Sequence, residues 1–154
     1  MTTLKKGDPA PFFSGLNQDG KTISLTDFAG KNLILYFYPK DNTPGCTAEA
    51  CDLNDNYAFW ISKGYEVIGV SPDNQVSHRK FADKFGLKFH LIADTDLKIL
   101  NDYGVWGEKS MYGKPYMGVL RTTFVIDGDG TIADVFSKVD TKDHSRQLRT
   151  TLNL

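Results

Sequence analysis

The sequence predicts an α/β fold in which a central mixed sheet is flanked by helices. Two continuous apolar runs, Leu33 to Tyr38 and Tyr65 to Ser71, are typical of strands buried in the middle of a sheet, and helical signals follow each run. Near the C-terminus, the Asp-Gly pairs at 127–130 predict an antiparallel hairpin, which is followed by a final helical segment. Alternating strands and helices ahead of such a hairpin predict a sheet covered on both faces.

The whole chain of 154 residues is expected to form a single domain, 1–154, because no repeat, low-complexity tract or linker interrupts it. The net charge of −1 gives no indication of a nucleic-acid partner. No apolar run has the length of a membrane span, and the N-terminus lacks a signal-peptide pattern. We therefore expect a cytoplasmic protein with no membrane partner. Since no long apolar edge or C-terminal arm stands out, we expect a monomer.

The N-terminal part of the chain begins with a predicted hairpin. Residues 12–16 and 21–25 read as two short strands around a polar turn. A connector that ends at Gly30 leads to the first buried strand. After that strand, one helix is expected over about 43–63, because Gly64 is a typical residue at a helix C-terminus.

The remaining elements continue the alternation. We expect a strand at 65–71, a helix at about 73–85, a strand at 89–93, a short helix at 94–103, a loop at 104–119, strands at 121–127 and 131–137, and a helix at about 141–152. The helix at 73–85 is expected to bury Val76, Phe81, Ala82 and Phe85. This order is similar to the thioredoxin-like arrangement, with an N-terminal hairpin extension and an insertion before the closing half.

The helix that begins near residue 43 places a cysteine at its positive end. Thr43 is a suitable N-cap, and Pro44 suits the first helical position. Cys46 falls three residues after the cap, where a thiolate would meet free backbone N–H groups and the positive end of the helix dipole. This position, at the carboxyl end of a central strand, is the usual active position of open α/β sheets. We therefore predict a redox-active or nucleophilic role for Cys46.

A thiolate at this position needs a cationic partner as well as the helix. A free cysteine has a pKa of about 8.5 and is only a few per cent ionised at neutral pH. A helix N-terminus contributes about 0.3–1 kcal/mol, and a guanidinium group bonded to the sulfur would add about 1.5–3 kcal/mol. Arg121 opens a strand that should lie antiparallel to the strand at 33–38, so its start lies beside that strand's end. Arg121 is therefore the predicted partner.

The spacing of Cys46 and Cys51 indicates a conformational change. Five residues turn a helix by about 500° and advance it by about 7.5 Å, so the two side chains point about 140° apart. A disulfide needs Cα atoms within about 7 Å and converging Cβ directions. The two cysteines can therefore bond only after the first turns of the helix unwind. This spacing predicts that Cys46 attacks in the folded state and that Cys51 resolves the product in a locally unfolded state.

The run YFYPKDNTPGCTAEAC, which ends at Cys51, resembles the active-site signature of peroxiredoxins, in particular the bacterioferritin-comigratory or Q-type subfamily. The resemblance extends over essentially the whole chain. The further matching segments are Asp27-Phe28, Gly30-Lys31, Gly69-Val70-Ser71, Tyr103-Gly104-Val105-Trp106 and Arg121-Thr122-Thr123-Phe124-Val125-Ile126-Asp127. The C-terminal helix, TKDHSRQLRTTL, departs from the subfamily in being more basic and polar.

The resemblance implies a thiol peroxidase that uses no metal, haem or flavin cofactor. Cys46 would be the peroxidatic cysteine, which attacks hydrogen peroxide or an organic hydroperoxide and becomes a sulfenic acid. Cys51 would be the resolving cysteine, and thioredoxin or a similar dithiol would reduce the resulting disulfide. A low thiol pKa alone gives only a modest gain in rate, so hydrogen-bond donors at the O–O bond must supply most of it.

The resemblance also assigns supporting roles around Cys46. Thr43 would hydrogen-bond the peroxide oxygens, and Arg121 would hold the thiolate and stabilise the leaving oxygen. Pro44 would shield the pocket, and Glu49 would help to orient Arg121. Two further residues, Gly45 and Tyr38, are expected to support the pocket.

Other interpretations remain open on the residues alone. A thioredoxin-like disulfide oxidoreductase is one, although the Cys-x4-Cys spacing and Thr43 oppose it. A non-enzymatic thioredoxin-fold binding module or redox sensor is another. The chain lacks the spacing for a four-ligand zinc site or a twelve-residue calcium loop. The three histidines, His78, His90 and His144, are scattered singly and are expected to have solvated or structural roles.

Overall fold

A computed structural model describes residues 2–154 of the chain. The strands are β1 (Ser14–Leu16), β2 (Thr22–Ser24), β3 (Asn32–Phe37), β4 (Tyr65–Ser71), β5 (His90–Ala93), β6 (Trp106–Met111), β7 (Lys114–Val119), β8 (Thr122–Ile126) and β9 (Ile132–Phe136). The helices are α1 (Pro44–Asp55), α2 (Tyr57–Ser62), α3 (Gln75–Phe85), α4 (Lys98–Asp102) and α5 (His144–Leu152), with a 3₁₀ turn at Leu25–Phe28. The predicted α/β fold and N-terminal hairpin are confirmed.

The main sheet has seven strands in the order β2-β1-β5-β4-β3-β8-β9. β3 pairs in parallel with β4 and antiparallel with β8, so the sheet is mixed. In the β3–β8 register Phe37 lies opposite Thr122. Arg121, which immediately precedes β8, therefore lies beside the carboxyl end of β3, as the sequence predicts.

The two faces of the sheet carry separate apolar clusters, because strand side chains alternate between faces. Odd-numbered residues of β3 from Leu33 to Phe37 lie in one cluster. Even-numbered residues from Ile34 to Tyr38 lie in the other, which also contains Cys46. Burial on both faces explains why this strand is continuously apolar.

A glycine in β4 makes room for a large side chain of β3. Gly69 pairs with Tyr36 in the parallel register. A Cβ atom at Gly69 would lie 2.8 Å from Tyr36 Oη, closer than ordinary contact allows. Glycine at this position therefore lets the fully buried Tyr36 ring pack beneath α1.

The prediction of a single helix over 43–63 is wrong, because the chain forms two helices there. α1 ends at Asp55, and α2 begins at Tyr57. Between them, the side-chain amide of Asn56 donates to the carbonyl oxygen of Asp52 at 2.8 Å. Asparagine favours such local hydrogen bonds over a continued helix, which accounts for the break.

The prediction of a loop over 104–119 is also wrong, because most of these residues form the two-stranded antiparallel sheet β6–β7. Its turn consists of Tyr112 and Gly113, both at positive φ (52° and 77°), as a two-residue hairpin turn requires. The sequence did not predict these strands, because most of their side chains are exposed and no apolar alternation marks a core face.

The buried face of α3 differs from the expectation at two positions, because Val76 is exposed and Phe85 is only partly buried. Phe81 and Ala82 are buried as predicted, together with His78. Val76, in the first turn of α3, is 62% exposed. Among residues 2–154, no helix is long and apolar enough to cross a lipid bilayer.

Candidate active site

The turn between β3 and α1 places Cys46 at the start of a helix beneath the protein surface. Thr43 is the N-cap in extended conformation (φ −97°, ψ 157°), and Pro44 is the first helical residue. Cys46 lies in the first turn of α1 and is 1% exposed. A buried thiol at this position faces the positive end of the helix dipole in a low dielectric.

The hydroxyl group of Thr43 does not cap the helix as expected. Its Oγ1 donates to the carbonyl oxygen of Lys40 at 2.9 Å. In the described residues, the Thr43 side chain accepts no hydrogen bond from the first N–H groups of α1. These amides, including that of Cys46, can therefore donate to a ligand.

Arg121 joins Cys46 to Glu49. Its Nη2 donates to Cys46 Sγ at 3.2 Å, and its Nη1 donates to Glu49 Oε1 at 2.6 Å. Burial acts to lower the pKa of Arg121, but the negative charges of Glu49 and Cys46 outweigh it and hold that pKa above its usual value. The planar guanidinium thus uses two of its edges to hold both groups at once.

Glu49 lies fully buried one helical turn after Cys46. Burial raises the pKa of Glu49 to about 7, even though the charge of Arg121 acts in the opposite direction. The second carboxyl oxygen, Oε2, has no hydrogen-bond partner among residues 2–154. The imidazole Nε2 of His144 lies 3.7 Å from it. Arg121 therefore holds Glu49 through one carboxyl oxygen, and the other oxygen is unpaired within the described residues.

The Tyr38 side chain is buried beside the turn that leads into α1. It belongs to the same apolar cluster as Cys46, but its hydroxyl donates to Asp41 Oδ1 at 2.6 Å. Asp41 also contacts His78 Nδ1 at 2.7 Å and donates its backbone N–H to Asp73 Oδ2 at 2.6 Å. Hydrogen bonds from His78 and Tyr38 outweigh burial and lower the pKa of Asp41. Tyr38 thus fixes the turn before α1 from below.

Pro44 and Gly45 lie on the outer side of the site. Pro44 is exposed at the first helical position. A Cβ atom at Gly45 would lie 3.5 Å from Arg121 Nη2, so this glycine packs directly against the guanidinium. Arg121 also lines a cleft of about 450 Å³, together with Glu108 and Lys109 of β6.

Cys51 lies in the same unbroken helix as Cys46, and both are free thiols. Burial, and secondly the charge of Asp55, raise the pKa of Cys51. In this conformation Cys51 therefore stays a protonated thiol, which is less reactive than a thiolate. Within residues 2–154, no cluster of three or more His, Cys, Asp or Glu side chains is arranged to hold a metal ion.

Sequence reasoning missed three residues behind Glu49. His144 Nε2 lies 2.9 Å from Thr123 Oγ1, and His144 Nδ1 lies 2.9 Å from Gln147 Oε1. His144 and Thr123 are fully buried. No local pattern marks these residues, because β8 and α5 meet α1 only through the tertiary fold. The one signal in the sequence was Glu49 itself, because an acidic residue on the buried face of a helix requires a polar partner.

Comparison with known proteins identifies close relatives over nearly the whole chain. A model of the AhpC/TSA family matches residues 6–135. A putative peroxiredoxin bcp of Buchnera aphidicola is 46% identical over 153 residues, which cover 99% of this chain and 97% of that protein. Peroxiredoxin Bcp of Escherichia coli is 46% identical over 144 residues, covering 94% and 92%.

Solved structures give the same relationship. A cysteine-to-serine mutant of PrxQ from Xylella fastidiosa superposes with a TM-score of 0.92 at 29% identity, covering 99% of this chain and 98% of that one. A bacterioferritin comigratory protein of Xanthomonas campestris superposes with a TM-score of 0.87 at 32% identity, covering 95% and 98%. The thioredoxin-like fold of these relatives is therefore the fold of this chain.

Proposed function

The chain belongs to the AhpC/TSA family, as one of its Bcp/PrxQ peroxiredoxins, and from that premise we propose that Cys46 is the peroxidatic cysteine of its thiol peroxidase reaction. The single observation that carries this proposal is the hydrogen bond of 3.2 Å from Arg121 Nη2 to Cys46 Sγ. A guanidinium donating to a buried sulfur at a helix N-terminus stabilises a thiolate, which is the nucleophilic form.

The chemical step needs only the thiolate and the peroxide. Cys46 Sγ attacks the terminal oxygen of the hydroperoxide, a sulfur–oxygen bond forms, and the O–O bond breaks. The sulfur is oxidised to sulfenic acid. The peroxide is reduced, and its leaving oxygen takes one proton from water to become water or an alcohol. We propose that no metal, haem or flavin takes part.

Two donors and one hydroxyl acceptor are available to the peroxide in this step. Arg121 is placed to stabilise the negative charge on the leaving oxygen, and the backbone N–H of Cys46 is free of any capping side chain. Thr43 Oγ1 donates to Lys40, so its oxygen can accept from the peroxide hydroxyl. We assign Pro44, Gly45, Glu49 and Tyr38 to the walls and supports of this pocket.

Cys51 is proposed as the resolving cysteine. After α1 unwinds, the Cys51 thiol attacks the sulfenic sulfur of Cys46 and gives a disulfide with loss of water. A dithiol then reduces the disulfide to two thiols by two exchange steps. Peroxiredoxins act on peroxides and are recycled by thioredoxin-type reductants. For this chain we propose thioredoxin or a similar dithiol protein, acting in the cytoplasm, where thiols are kept reduced.

We propose that the enzyme accepts both hydrogen peroxide and organic hydroperoxides. Arg121, which donates to Cys46 Sγ, also lines a cleft of about 450 Å³, and an organic group bound there would lie beside the guanidinium. The Xanthomonas campestris relative was solved in work on alkyl peroxide reduction, which supports the same range of substrates here.

The first test is the rate at which hydrogen peroxide oxidises Cys46, followed by tryptophan fluorescence in a stopped-flow instrument. We expect a rate orders of magnitude above that of a free thiol, and none in Cys46→Ser. The matched variant Arg121→Lys keeps the charge but cannot hold Cys46 and Glu49 together, so we expect its rate to fall by about 100-fold.

A rate equal to that of a free thiol would overturn the proposal. Activity in insulin disulfide reduction in place of peroxide turnover would then identify a disulfide oxidoreductase.

A further inference from the structure

A buried histidine of α3 holds the turn between β3 and α1. Asp41, in this turn, contacts His78 Nδ1 through its Oδ2 at 2.7 Å, and both side chains are buried. The other ring nitrogen, His78 Nε2, lies 2.9 Å from the carbonyl oxygen of Ile92 in β5. The imidazole therefore joins the turn before α1 to a strand of the main sheet.

Each of these two oxygens requires a proton on the ring nitrogen that it faces. The carbonyl oxygen of Ile92 can only accept, so His78 Nε2 donates. Burial acts to raise the pKa of Asp41, but the hydrogen bond and charge of His78, with further donors, hold that pKa below its usual value. An ionised carboxylate can also only accept, so Nδ1 donates as well. A histidine that donates from both nitrogens is an imidazolium ion.

The other neighbours of this pair favour a negative charge on Asp41. Tyr38 Oη donates to Asp41 Oδ1 at 2.6 Å and lies 3.5 Å from His78 Nδ1. Ser77 Oγ donates to Asp41 Oδ2 at 2.8 Å. The second carboxylate nearby, that of Asp73, accepts from the backbone N–H of Asp41 at 2.6 Å. Three side-chain donors thus converge on one carboxylate, as a buried anion requires.

The turn that Asp41 belongs to also carries groups that meet the peroxide. Thr43 follows two residues later, and its hydroxyl donates to the carbonyl oxygen of Lys40 at 2.9 Å. Between them, Asn42 has a positive φ of 58°, and its Oδ1 accepts from Lys84 of α3 at 3.2 Å. Because so few residues separate Asp41 from α1, a displacement of Asp41 also displaces Thr43 and the first amides of the helix.

We propose that His78 is a positioning residue for the peroxidase reaction: as an imidazolium ion it holds the Asp41 carboxylate, and it thereby fixes the turn that presents Thr43 and the first amides of α1 to the peroxide. Its main effect is on the peroxide oxygens, because the sulfur of Cys46 is held separately by Arg121. Loss of the imidazolium leaves a buried carboxylate without its cationic partner, and the turn shifts towards water. This inference rests on the proposed function.

The first measurement is independent of peroxidase activity. In the reduced protein labelled with nitrogen-15 at histidine, NMR reports whether each ring nitrogen carries a proton, and His78→Leu identifies the signals of His78. We expect both nitrogens of His78 to be protonated at pH 7. His90 is the internal reference, because its Nδ1 lies 3.1 Å from the amide nitrogen of Asn17 and should carry no proton. An unprotonated nitrogen in His78 at pH 7 would overturn the inference.

Asp41→Asn is the matched variant, because it keeps the shape of the side chain and removes its charge. The introduced amide can donate to His78 Nδ1, so the ring should become neutral and keep its proton on Nε2. We expect one nitrogen of His78 to lose its proton in this variant, while the signals of His90 stay unchanged. A His78 spectrum that Asp41→Asn leaves unchanged would contradict the ion pair.

The second measurement separates positioning from a general loss of structure. In a Cys51→Ser background Cys46 is the only thiol, so its oxidation by hydrogen peroxide is observed alone. For His78→Leu we expect this rate to fall by about tenfold, the effect of one hydrogen bond to a charged group. The ultraviolet absorbance of the Cys46 thiolate should stay unchanged. His90→Leu is the control and should keep the native rate. A parallel loss of rate and of thiolate absorbance would overturn the inference.

A double-mutant cycle tests whether His78 acts through Asp41. With Asp41→Asn in place, no carboxylate is left without its partner, so adding His78→Leu should lower the rate by only about threefold, the effect of a neutral hydrogen bond. The same tenfold loss in both backgrounds would overturn the inference. If His78→Leu does not fold, Asp41→Asn and the nitrogen-15 spectra still decide. Slow oxidation of Cys46 in the native protein would instead contradict the proposed function itself.

Discussion

At the scale of single residues, folding changes the pH range in which Glu49 titrates. The side chain is fully buried, and its pKa is raised to about 7 from an ordinary value of 4.5. Arg121 offsets only part of the cost of burial, since its guanidinium also donates to Cys46. A carboxyl group that titrates near neutral pH in this position links the stability of the protein to pH.

We predict that Glu49→Gln makes the protein relatively more stable as the pH rises. Between about pH 4.5 and 7 the native state binds more protons at Glu49 than the unfolded state does. The stability that Glu49 contributes is therefore fully present below pH 4.5 and lost as the pH rises through 7, by up to about 3 kcal/mol. Urea unfolding of the native protein and of Glu49→Gln, at pH 5 and at pH 8, measures this difference in stability. The same stability difference between variant and native protein at both pH values would contradict the prediction.

At the scale of secondary-structure elements, the two halves of α1 are held differently. The second half is tied to neighbouring elements through Asp52 and Asn54. Asp52 Oδ2 accepts from the backbone N–H of Ser145 in α5 at 2.7 Å. The side chain of Asn54 donates to Gly86 O at 3.0 Å and accepts from Lys88 N at 2.9 Å. Unwinding that begins at the first turn is therefore expected to stop near Asp52.

We predict that disulfide formation unwinds 44–51 and leaves 53–55 helical. Amide hydrogen exchange of the oxidised protein should show lost protection in the first segment and retained protection in the second. Cys51→Ser is the control: it should still react at Cys46 with one equivalent of peroxide, but it should neither unwind nor be recycled by thioredoxin. Full protection of 44–51 in the oxidised native protein would contradict the unwinding mechanism, and unchanged recycling of Cys51→Ser would remove Cys51 from it.

At the scale of the whole molecule, the main sheet has one short edge strand, and the hairpin β6–β7 forms a separate two-stranded sheet. The edge strand β2 has three residues, which limits pairing with another sheet. The hairpin carries four exposed large apolar side chains: Met111, Tyr112, Tyr116 and Met117. Tyr112 at its tip is 98% exposed.

We predict that the chain is a monomer, because these side chains lie along a narrow two-stranded hairpin rather than on a broad apolar face. Sedimentation equilibrium of the reduced protein at micromolar concentration should give the mass of one chain, 17.2 kDa. A dimer that dissociates on Tyr112→Ser would contradict the prediction and place the interface on the hairpin.

The order of elements and the position of Cys46 were predictable because their signals are local. Apolar runs mark buried strands, and Thr43-Pro44 marks a helix start. The antiparallel strand pair then places Arg121 beside the end of β3, as the register of Phe37 and Thr122 confirms. The hairpin β6–β7 and the break at Asn56 were not predictable, since neither carries a hydrophobic period.

The sequence by itself determined the peroxiredoxin signature, the helix start at Cys46 and the spacing that keeps Cys51 from Cys46 while the helix is intact. These follow from local geometry, which residue types and intervals specify. Only the tertiary structure decided that Thr43 leaves the helix amides free, that Glu49 is buried with one unpaired oxygen, and that His144 lies behind it. Burial and contacts between distant segments set the charge of a carboxyl group, and no sequence interval specifies them.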